Sequence, residues 1–155
     1  MTEAVGVRRV RRTLLIHRVV QVAMVALLLY MTLHFLQMFQ ATGNLRPFYN
    51  SLIATLLLQV ALFFPIRKFA EKEALREIAA ATKTALSVDE QKKLRSQRLL
   101  SDFMKGSVFI FFVAFISAAP PAGFVLSTSF FTCIGTIISY LQNYNFATRR
   151  HLNPQ

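Results

Sequence analysis

The sequence predicts an all-α integral membrane protein: four transmembrane helices, with a cytoplasmic helical hairpin between helices 2 and 3. Three observations carry that expectation. The chain is 54% hydrophobic over 155 residues and still carries a net charge of +11. Its apolar runs are long enough to cross a bilayer and alternate with basic stretches. Of its 18 Lys and Arg, only Arg46 falls outside the segments that would share one face of the membrane. Disorder is excluded, because it needs low hydrophobicity alongside high charge. One cysteine, Cys133, excludes an internal disulfide and a CxxC pair.

Residues 1–18 form a basic N-terminal tail in which Arg8, Arg9, Arg11 and Arg12 lead into the first span. Beside a span, such a cluster attracts anionic lipid headgroups at about 1 kcal/mol per base, which accounts for it more simply than nucleic-acid binding does. Residues 19–66 hold the first two spans, Val19–Phe39 and Phe48–Ile66, joined by a polar turn around Gly43 and Asn44. The first apolar run is too long for a secretory h-region and lacks an A-x-A-like cleavage site; an Arg-rich mitochondrial presequence is the competing interpretation. Pro65, followed by Arg67-Lys68, predicts that the second helix ends or kinks there.

Residues 67–102 are the cytoplasmic insert, with Glu71, Glu73, Glu77, Asp89, Glu90 and Asp102 interleaved with bases. Lys68–Ala85 is rich in Ala, Glu, Lys and Leu, which favour helix. Ser87-Val88-Asp89-Glu90 matches a capping box, so a new helix should start at Val88. Its stripe of Leu94, Leu99, Leu100 and Phe103 leads into the third span. The insert is expected to be a helical hairpin projecting from the membrane or lying upon it. It would serve either as a docking surface for a partner or as a solvated connector.

Residues 103–146 contain one charge, Lys105, and are too long for a single crossing. The turn signal Ala118-Ala119-Pro120-Pro121-Ala122-Gly123 divides them into Phe103–Ala119 and Phe124–Asn143. A re-entrant hairpin at Pro120-Pro121 is the alternative. Residues 147–155 form the C-terminal tail with Arg149 and Arg150. The distribution of bases places both termini and the central insert in the cytoplasm, in a bacterial inner membrane or, alternatively, an organellar inner membrane.

Ionisable side chains within spans are the default place to look for function. No Asp or Glu falls inside these spans, so the carboxylate that a proton- or cation-coupled transporter uses is missing. His34 is the candidate cofactor ligand, for haem b or a quinone. His17 lies about 25 Å away along the same helix, so a second axial ligand to haem would have to come from another chain. Gln59, Thr132, Gly135, Thr136 and Ser139 are candidates for helix packing or for lining a pore, and Ser51 and Thr55 for hydrogen bonds between helices. There is no catalytic candidate and no metal site: the chain lacks HExxH, G-x-S-x-G and a Gly-rich phosphate loop. Cys133, inside a span, is expected to be a small buried residue.

The expectation is a non-enzymatic accessory, scaffold or anchoring subunit of a larger membrane complex. Its partners would be other proteins and a bilayer with anionic headgroups, not nucleic acid, and it would need no cofactor. A small homo-oligomeric channel or transporter, and a haem- or quinone-binding anchor subunit, are the alternatives.

Overall fold

A computed structural model of the chain describes residues 2–82, 88–118 and 123–152. Every element in them is an α-helix: α1 Thr2–Ala41, α2 Arg46–Thr82, α3 Val88–Ala118 and α4 Phe124–Leu152. All four are long and apolar enough to cross a membrane. Crossing takes about 20 residues, whereas α1 has 40 and α2 has 37. Each helix therefore carries a stretch beyond what a crossing requires.

Pro65 does not end α2, which runs through it to Thr82. Proline removes one intrahelical hydrogen bond and crowds the preceding turn. The Ala-, Glu- and Lys-rich stretch that follows is a strong helix former, and it buries Ala70 and Ala74 completely. The helix expected to start at Lys68 is instead a continuation of the one before it. On the other side α3 begins at Val88 and continues without a break through Phe103. Ser87, the cap expected for α3, lies outside the described residues, as does the Pro120-Pro121 turn.

The connection between α1 and α2 is tight and locally satisfied. Gly43 takes φ 71°, in the left-handed region, and its N–H donates to the Gln40 carbonyl at 3.0 Å. Thr42 Oγ1 donates to the Phe39 carbonyl at 2.8 Å. The Arg46 N–H then donates to Asn44 Oδ1 at 3.1 Å, which starts α2. So short a loop makes α1 and α2 antiparallel neighbours.

The central pair, however, is α2 with α4; α1 lies against both, and α3 touches α4 briefly and α2 less. At the end bearing the 42–45 turn the core is aromatic: Phe35, Phe39, Phe48 and Phe131 are buried together. Phe35 meets Phe131 edge-on at 5.5 Å, a favourable ring geometry. At the opposite end Ala70, Ala74, Tyr144 and Ala147 form a second core, with Leu14 and Tyr140 against it. Small methyls there let the two backbones approach closely.

Buried hydroxyls along α2 are satisfied within their own helix. Ser51 Oγ donates to the Phe48 carbonyl and Thr55 Oγ1 to the Ser51 carbonyl, each at 2.7 Å. They therefore do not make the interhelical bonds expected of them. Helix α3 contributes no buried apolar side chain among the described residues. Phe103 and Ile110 are 73% and 68% exposed.

Candidate functional site

Midway along the α2–α4 interface, Gln59 reaches across to α4. Its Nε2 donates to the Thr132 carbonyl at 2.9 Å and to Thr136 Oγ1 at 3.5 Å. The side chain has room because residue 135 is glycine: a Cβ there would lie 2.6 Å from Gln59 Nε2 and 2.8 Å from Cδ. Four candidates, Gln59, Thr132, Gly135 and Thr136, thus meet at one point. Ser139 stands one turn further along, where its carbonyl accepts from Asn143 Nδ2 at 2.8 Å. The Thr132 hydroxyl is buried with no hydrogen-bond partner.

A denser polar cluster lies at the end of the bundle away from the 42–45 turn. Glu73 and Glu77 stand one turn apart on α2, and Tyr140 and Tyr144 one turn apart on α4. Because α2 and α4 run parallel, the pairs meet rung by rung. Tyr140 Oη donates to Glu73 Oε2 at 2.6 Å, and Tyr144 Oη donates to Glu77 Oε2. Each carboxylate uses its other oxygen to bind a base from α3. Lys105 Nζ donates to Glu73 Oε1, and Arg98 Nη2 donates to Glu77 Oε1 at 3.3 Å. Lys105 also sits 5.3 Å over the Tyr140 ring, a cation–π distance.

The carboxylates are the more buried half of this cluster: the Glu77 side chain is 29% exposed and its partner Arg98 59%. The Glu73 side chain is only 14% exposed, against 38% for Lys105. Helix α1 closes one side: the His17 ring packs edge-on against Tyr144 at 4.8 Å, with its Nδ1 buried and unpartnered. Partly buried carboxylates with both a phenol and a cation are strongly held, because removing one partner strands charge away from water. Chemically the arrangement is a polar clasp that joins α2, α3 and α4, with Asp102 on α3 as a third carboxylate 3.8 Å from Lys105.

The sequence alone places Glu73 and Glu77 in an insert that is either a docking surface or a solvated connector, and it assigns Tyr140, Tyr144, Arg98 and Lys105 no part in a site. The signal that could have found them is periodic. Two i,i+4 pairs, one acidic and one phenolic, recur on two helices, and two bases seven residues apart share a face of the third.

The remaining candidates are dispersed. His34 is on an exposed face of α1, stacked at 6.4 Å with Tyr30 and tilted against Phe35 at 6.2 Å. His17 is at the other end of the bundle, packed on Tyr144, so His17 and His34 do not face a common space. Arg11 and Arg12 are exposed on the first turns of α1. Arg8 and Arg9 fall within α1, but their side chains lie outside the described residues. Cys133 is buried.

No protein-family model, no curated protein and no solved structure matches this chain.

Proposed function

We propose that the chain is a non-enzymatic, multi-pass membrane protein that serves as an accessory or anchoring subunit of a larger membrane complex. Both termini and the clasp would lie in the cytoplasm of a bacterial inner-membrane arrangement. The observation that supports this reading is the state of α3. It is tied to the bundle by polar contacts from Arg98 and Lys105, around its middle. Along the rest of its length Val108, Phe109, Ile110, Phe111 and Phe115 are exposed. A helix so weakly packed within its own chain has a face left for a partner helix. The charge pattern supports the orientation, since the bases flank the clasp and Arg46 alone is near the opposite turn.

The test is extraction of the full chain from its native membrane in mild detergent, with a photo-crosslinking residue at Phe109. A partner recovered at constant stoichiometry and crosslinked through α3 supports the proposal. A monodisperse particle of this chain alone, crosslinked only to lipid, overturns it.

A further inference from the structure

Between α2 and α3, next to the clasp, lies a half-open cleft of about 270 Å³. Arg76, Arg95 and Arg98 line it, together with Gln97, Ser101 and the two clasp glutamates. We infer that this cleft binds a phosphomonoester dianion.

The charges point that way once the clasp is accounted for. Glu73 is already taken by Lys105 and Tyr140, and Glu77 by Arg98 and Tyr144. Arg76 and Arg95 make no ion pair with a described residue, so two guanidinium groups remain over on the cleft wall. Guanidinium forks match phosphate oxygens in pairs, which is why arginine recurs at phosphate sites.

Ser101 is the independent sign that a ligand belongs here. It is 4% exposed and lines the cleft, yet its Oγ has no hydrogen-bond partner. Ser51, Thr55 and Thr148 bond back to their own backbone, whereas Ser101, Thr128 and Thr132 have no partner, and of these three only Ser101 lines the cleft. Left unpaired, the Ser101 hydroxyl is a costly orphan that an anion's oxygen would satisfy.

Size and position narrow the ligand. Pockets for drug-sized molecules run from about 300 Å³ upward, so this cleft fits a phosphate with a short substituent. Arg76 lies ten residues beyond Ile66 on α2, about 15 Å along the axis. The headgroup layer adds only about 5–7 Å to each side of the hydrocarbon. Ser101, on the opposite wall, lies only two residues before Phe103, about 3 Å along the axis, so the cleft runs from the headgroup layer outward. Charge favours a phosphomonoester, whose up to two negative charges match the two guanidinium groups without an ion pair, where a phosphodiester carries one. The phosphate comes either from a small soluble phosphomonoester or from a terminal monophosphate carried outward on a lipid headgroup.

The experiment uses the full chain in phosphatidylcholine nanodiscs. In one arm glycerol 3-phosphate is titrated calorimetrically. In the other, binding of phosphatidylinositol 4-phosphate incorporated into the discs is measured. Saturable binding in the first arm assigns the soluble source, and saturable binding in the second alone assigns the lipid source. In either case Arg76→Gln with Arg95→Gln should weaken binding at least about tenfold, and Ser101→Ala about threefold. Arg76→Lys with Arg95→Lys keeps the charge, loses the fork and should fall between. Arg149→Gln with Arg150→Gln removes equal charge elsewhere and should change nothing. Absence of saturable binding in both arms overturns the inference, and so does an equal loss in the Arg149/Arg150 variant.

Discussion

Gln59 can cross from α2 to α4 because position 135 carries no Cβ. Two atoms of one flexible side chain would meet that Cβ within 3 Å, so Gly135→Ala can be accommodated only if Gln59 swings away from the Thr132 carbonyl. The expected cost is about 1–2 kcal/mol, as overpacking plus a lost hydrogen bond. Gln59→Ala should cost a similar amount alone, while the double variant should cost less than the sum. Thermal or denaturant unfolding of the four proteins in one detergent checks this, and strict additivity would break the proposed link. This contact was legible in the sequence because an uncharged amide amid Leu and Val has few uses besides a hydrogen bond. The clasp was not, for reasons equally specific. Tyr140 and Tyr144 near a span end look like interfacial aromatics, and Glu73 and Glu77 amid lysines look solvated. Only the parallel register of α2 and α4, which no local pattern encodes, turns them toward one another.

At the scale of elements, composition located the four helices well and their ends less well. The start of α3 at Val88 follows from the capping pattern before it. The continuity of α2 does not, because proline's local penalty had to be weighed against burial of Ala70 and Ala74 a turn or more away. Pro65 is exposed, so Pro65→Ala should restore the missing backbone bond without disturbing packing. It should raise stability by about 1–3 kcal/mol, seen as a higher unfolding midpoint by circular dichroism. Helix α3 offers a second prediction. Its attachment rests on Arg98 and Lys105 and not on buried apolar surface, so Arg98→Gln with Lys105→Gln should loosen it selectively. Hydrogen exchange should quicken about tenfold or more over residues 92–102, the loss of two charge-assisted bonds setting the scale. Exchange within α4 should stay slow. Uniform acceleration across all helices would show instead that α3 is integral to the core.

For the whole molecule, the distribution of bases makes a directional prediction that can be checked residue by residue. In a Cys133→Ser background, a single cysteine at Asn44 should react with a membrane-impermeant thiol reagent added outside intact cells. A cysteine at Ser96 should react only after the membrane is opened. The reverse pattern would invert the proposed topology. That the chain forms four helices long and apolar enough to cross a membrane was readable because crossing imposes a length rule. Which helix would pack most closely with which was not readable, since apolar side chains mix as well with lipid as with each other.

The pairing of α2 with α4 has a consequence for synthesis. Helices emerge from the ribosome in order, so α1 and α2 are made well before the helix that completes them. Until α4 arrives, Gln59 has no Thr132 carbonyl, the two glutamates have no phenols, and the slot beside position 135 does not exist. The nascent protein must pass α3, which has little apolar contact of its own to make, before it can close. Helix α4 is thus the keystone, and a ribosome that stalls after α3 leaves Gln59 without the carbonyl it binds.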